Sequence, residues 1–193
     1  LNRDIGFRLT HHEGKLHPEG IKVEVTEVPA TVAANHVVTT GALRIESFEV
    51  NHFPVVPAFG YRLTFDGRSV VMSGDTTFCE SLLHASEGAD MLVCEAMNVP
   101  MLEERIAGLR AMGRTLQASL FEDIPSYHIP TDHVAELARD AGVGKLVLSH
   151  LIPPVPNQGP ELERFVSGMS SLYGGAIHVA RDMERIPVEK RNW

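Results

Sequence analysis

The chain is poor in cysteine, in tryptophan and in positive charge. Its 193 residues include two cysteines and one tryptophan, and only 6% of them are aromatic. Cys79 and Cys94 are too few to staple a fold, which excludes a disulfide scaffold and points to a reducing compartment. The cytoplasm is therefore expected, with the periplasm left open. Lys and Arg number 17 against 25 Asp and Glu, giving a net charge of −8. An acidic total argues against nucleic acid as a partner, because phosphates are held by Lys and Arg. No apolar run approaches the roughly 18 residues of a membrane span, so no membrane partner is expected. Internal repeats, low-complexity tracts and linkers are also absent. The first residue is Leu1 rather than Met, and no His-x-His occurs anywhere.

What remains is 44% hydrophobic, enough for one soluble domain with a real core, and unusually rich in histidine, with ten. Residues 1–20 are polar and weakly patterned, as in a surface arm. Ile21–Val28 and Leu43–Val50 alternate apolar and polar side chains and predict half-buried strands. A loop, His52–Pro57, leads into Phe59–Phe65 and Ser69–Ser73, two strands joined at Asp66-Gly67, a strong hairpin signal. The period then becomes helical over Phe78–Glu87 and Met101–Met112, with a short strand Met91–Val93 between them. Residues 113–130 read as a loop. Asp132–Ala141 is the clearest helix, with Thr131 as N-cap and Gly142 as stop. A strand Lys145–Ser149, a helix Pro160–Leu172 and a strand Ala176–Ala180 complete a mixed α/β sandwich.

Several chemically capable residues fall at predicted strand ends, where a sheet presents side chains on a common rim. His52 follows one strand, Asp75 another in Ser73-Gly74-Asp75-Thr76, Glu95 a third, and His150 closes Lys145–Ser149. His128 precedes the clearest helix. Imidazole nitrogens with a carboxylate suit Zn²⁺ or a related divalent ion. Singly, each has a plainer reading: a surface histidine, or a turn-forming Asp that caps the next helix. His84, His133 and His178 read as surface or structural residues, and Cys94 as a small buried one.

Taken in order, the run His52, Gly60-Tyr61-Arg62, Ser73-Gly74-Asp75-Thr76, Cys94-Glu95-Ala96, His128 and Lys145-Leu-Val-Leu-Ser-His150 resembles the C-terminal half of the metallo-β-lactamase superfamily. It is most similar to the branch holding ribonuclease Z and the arylsulfatase-like hydrolases. The resemblance implies a four-layer αββα sandwich with two metal ions, usually zinc, with Mn²⁺ or Fe²⁺ as substitutes. It implies His52 as a ligand of the first ion, Asp75 as the bridge and His150 as a ligand of the second. His128 is implied as an unligated proton donor, and Glu95 as a support behind the site. The family often has His-Glu-Ala where this chain has Cys94-Glu95-Ala96.

The family signature His-x-His-x-Asp-His is missing. Residues 1–193 are therefore expected to be one domain lacking its N-terminal part, the C-terminal half to two-thirds of the sandwich. The function so implied is a metal-dependent hydrolase that uses a water activated between two metals to cleave a small-molecule ester: an aryl sulfate, a phosphodiester or a carboxylic ester. A homodimer and the missing N-terminal segment are the implied partners. The run from Phe59–Phe65 through Asp66-Gly67 into Ser69–Ser73 leaves no room for the tRNA-binding arm of ribonuclease Z. The alternatives are a ribonuclease Z-like tRNA 3′-processing endonuclease, an inactive binding module of the same fold, and an iron-dependent redox member.

Overall fold

Strands form where apolar and polar residues alternate, and the computed structural model joins seven of them into one sheet. It describes residues 2–13, 15, 27 and 35–190. The strands are β1 Asn35–Thr40, β2 Leu43–His52, β3 Val55–Phe65, β4 Arg68–Met72, β5 Met91–Met97, β6 Lys145–Ile152 and β7 Ala176–Val179, and they lie in sequence order. β1 to β4 are antiparallel; β4 to β7 are parallel, linked by helical crossovers. The Asp66-Gly67 turn pairs Phe65 with Arg68 as a tight hairpin, and both turn residues have positive φ. The predicted strand Ile21–Val28 lies outside the described residues.

The helices are α1 Asn2–His11, α2 Glu80–Ser86, α3 Val99–Ala111, α4 Thr115–Glu122, α5 Thr131–Asp140, α6 Pro160–Phe165 and α7 Met169–Leu172. α5 places Val134, Ala135, Leu137 and Ala138 in the core, where they meet Phe48, Val71, Leu92, Cys94, Leu146 and Leu148 from the sheet. Alternate residues point to the opposite face: Tyr61, Phe65 and Met72 there remain more than one-third exposed.

The structure departs from the local sequence expectations in five places. The segment 1–20 contains the helix α1 rather than only an arm. The loop read at 52–57 is the tip of the β2–β3 hairpin, with His52 paired to Val55. Residues 113–130 contain α4 and a 3₁₀ turn Ile124–Ser126; Gly113 and Pro125 bracket that helix instead of preventing one. The single helix Pro160–Leu172 is two, split at Gly168, whose φ of +86° no helix tolerates. The N-cap of α5 is Pro130 and not Thr131.

Candidate metal centre

The site is assembled at the ends of β2, β4, β5 and β6. Asp75 is thrown outward by Gly74, which has φ +64°; a Cβ there would lie 2.7 Å from the carbonyl oxygen of Phe59. Only glycine fits that turn without strain. His150 reaches the rim differently. β5 pairs Glu95 with Ser149 and Ala96 with Leu151, so His150 is the extra residue of a bulge, with φ +45°. Left-handed backbone at a histidine is strained, and such strain persists where the surrounding structure imposes it.

His128 is brought in by the segment before α5. The N–H of Met97 donates to Ile129 O at 2.9 Å, stitching that segment to the end of β5. Nδ1 of His128 then lies 2.8 Å from both carboxylate oxygens of Glu95, and both side chains are buried. Glu95 also accepts the N–H of Thr76 at 2.6 Å, while Thr76 Oγ1 accepts the N–H of Asn51 at 3.1 Å. One chain of bonds thus joins the loops that carry His52, Asp75 and His128. Burial raises the Glu95 carboxyl above its ordinary range, against the lowering effect of its bonds to His128 and Thr76. Cys94 is likewise pushed up, to about 12, by burial. It stays a thiol at neutral pH and makes a poor metal ligand.

His52 donates from Nδ1 to the carbonyl of Tyr127 at 2.8 Å. A carbonyl only accepts, so the proton sits on Nδ1 and the lone pair on Nε2. The His52 ring is 5.3 Å from that of His128, and the His128 ring is 5.4 Å from that of His150.

Asp75, His128 and His150 each offer a donor atom, all within 4.8 Å of one another. Nδ1 of His150 is 3.8 Å from Oδ1 of Asp75, too long for a hydrogen bond. Donors bound at about 2.1 Å in a tetrahedral shell sit roughly 3.4 Å apart, so Asp75 and His150, 3.8 Å apart, are spaced to share one ion, with His128 beside it. This nitrogen and oxygen set, with a carboxylate behind one imidazole, fits a divalent cation. Of the residues expected at the site, Asp75, His128 and His150 converge, and Glu95 stands behind His128. His52 touches the group through its ring and lies outside the three-donor cluster. Sequence alone does not single out Tyr127 and Thr76, since the bonds that tie them to His52 and Glu95 come from main-chain groups, which no residue type signals.

Known proteins give the same picture. Residues 6–151 match the family described as the beta-lactamase superfamily domain. Ribonuclease Z of Mycobacterium tuberculosis (strain H37Rv) is 32% identical over 193 residues, covering 99% of this chain and 63% of that relative. The chain thus spans less than two-thirds of that protein's length. Among solved structures, the metallo-β-lactamase fold protein YhfI of Bacillus subtilis superposes with a TM-score of 0.52 at 22% identity, over 75% of this chain and 48% of that one. The human short-form tRNase Z gives 0.51 at 15% identity, over 81% and 48%. Fold, converging donors and sequence agree: the chain belongs to the metallo-β-lactamase superfamily of metal-dependent hydrolases.

Proposed function

We propose that this chain carries the C-terminal part of the catalytic centre of a phosphodiesterase of the ribonuclease Z type. The buried Glu95–His128 pair, set within ligand reach of Asp75 and His150, carries the reading. Cleaving a phosphodiester expels an alkoxide, which leaves poorly unless it is protonated. With Nδ1 tied to Glu95, His128 offers Nε2 to that oxygen and passes it a proton when both ring nitrogens are protonated. Asp75 and His150, with His52 on Nε2, are the residues that would hold divalent metal. When bound, metal supplies Lewis-acid activation of water and of the substrate's oxygen. Thr76 and Asn51 keep these side chains in place, and Tyr127 fixes the tautomer of His52.

The relatives named ribonuclease Z favour RNA as substrate, and this reading, first given as the alternative, replaces the small-molecule ester as the leading one. One observation favours a second reading, a small phosphodiester. β3 passes to β4 through two turn residues, with no inserted arm to grip a tRNA, and the chain carries a net charge of −8. The homodimer and a segment with the remaining ligands belong to either reading. The full polypeptide carrying this chain should be assayed on a precursor tRNA with a 3′ trailer, on bis(p-nitrophenyl) phosphate and on p-nitrophenyl sulfate, each with and without chelator. Chelator-sensitive cleavage of the tRNA supports the first reading, and of the small diester alone the second. Cleavage of the sulfate ester alone rejects both.

A further inference from the structure

The tip of the β2–β3 hairpin, next to His52, is unusually apolar for its exposure. Phe53 is 70% exposed, Val55 55% and Val56 67%. Residues 53–59 carry no charged side chain, and Pro54 and Pro57 lack an N–H, so the tip offers little to a phosphate or to an added strand. It offers flat apolar surface. Its position is fixed: His52 pairs with Val55, and His52 is tied to Tyr127. The half-buried Tyr127 ring stands edge-on to His52 at 5.5 Å and packs at 4.9 Å from His128. The exposed Phe53 thus follows His52 directly at the hairpin tip, beside the Tyr127–His52–His128 ring cluster.

We infer that Phe53, flanked by Val55 and Val56, is a specificity-determining residue that packs against the planar ring of the substrate, a nucleobase or an aryl group, next to the scissile ester. The inference rests on the phosphodiesterase reading and adds what the centre recognises. Stacking on an exposed aromatic side chain tolerates any base, because every base has a π-face. It would select esters by their ring rather than by their charge, which suits an acidic chain.

The test measures binding of adenosine 5′-monophosphate, ribose 5-phosphate and p-nitrophenyl phosphate to the metal-loaded full polypeptide, as wild type, Phe53→Ala and Phe53→Tyr. Phe53→Ala should weaken adenosine monophosphate roughly tenfold and leave ribose 5-phosphate unchanged, while Phe53→Tyr retains wild-type affinity. Parallel weakening of p-nitrophenyl phosphate marks an aryl ring as sufficient; weakening of the nucleotide alone marks a base. Equal loss of all three probes, no change in any, or no nucleotide binding by the wild type would overturn the inference. A change of oligomeric state in Phe53→Ala would also overturn it, by assigning the tip to a second copy. Diester cleavage without this binding pattern rejects the inference alone. The pattern without cleavage rejects the phosphodiesterase reading alone.

Discussion

Nδ1 of His128 stands 2.8 Å from each carboxylate oxygen of Glu95, across 33 residues of sequence, with both side chains out of water. Burial lifts the Glu95 carboxyl, so its proton is held more tightly in the folded than in the unfolded chain. The contribution of this group is then fully present below its unfolded value, near the 4.5 ordinary for a glutamate, and is lost as pH rises through the higher folded value. Glu95→Gln removes that titration. In the presence of chelator, denaturant unfolding of wild type should gain stability relative to Glu95→Gln as pH falls from neutrality towards the ordinary carboxylate range. A constant difference would show that Glu95 does not titrate in that window.

His128→Ala distinguishes two roles for one imidazole. As proton donor, His128 can be lost with fold and bound metal intact, while turnover falls by about 10²–10⁴-fold, most for the poorest leaving groups. Elemental analysis beside the rate measurement checks both halves. Loss of metal would instead make His128 a ligand, which its place within 4.8 Å of the Asp75 and His150 donors permits.

Gly74→Ala should destabilise the protein by about 1–3 kcal/mol, because φ is +64° and the new Cβ meets the Phe59 carbonyl at 2.7 Å. The same variant should bind metal more weakly, since the turn aims Asp75. Denaturant midpoints and metal titration test these separately. Unchanged midpoints would mean that the turn relaxes at no cost.

Cys94→Ala should cost about 1 kcal/mol of stability through the small cavity it leaves, with activity and metal content unchanged. The thiol is buried and pushed up to about 12, so it plays no part as a thiolate. Metal loss in this variant would reveal a ligand role.

Much of this architecture is legible in sequence because it rests on local patterns. Alternation marks β2 to β4, Asp66-Gly67 marks their hairpin, and the stripe Val134, Leu137, Ala138, Ala141 marks α5. The rim residues were legible for the same reason, since strand ends follow from the strands. Position His150 was foreseen, but its bulge was not: nothing about a histidine announces a φ of +45°. α4 was hidden by Gly113 and Pro125, which mark its boundaries and not its interior. The Glu95–His128 pair and the tie from His52 to Tyr127 are contacts between distant segments, and only the folded chain brings them together.

The most direct test measures the metal content of the full polypeptide as wild type and Asp75→Ala, with both proteins shown to be folded. About two equivalents of divalent metal in wild type, as in two-metal hydrolytic sites, and their loss with diester cleavage in Asp75→Ala is the result predicted here. A wild type without metal that still hydrolyses a diester, or an Asp75→Ala variant with its full metal complement, would contradict the assignment of this rim as the metal centre.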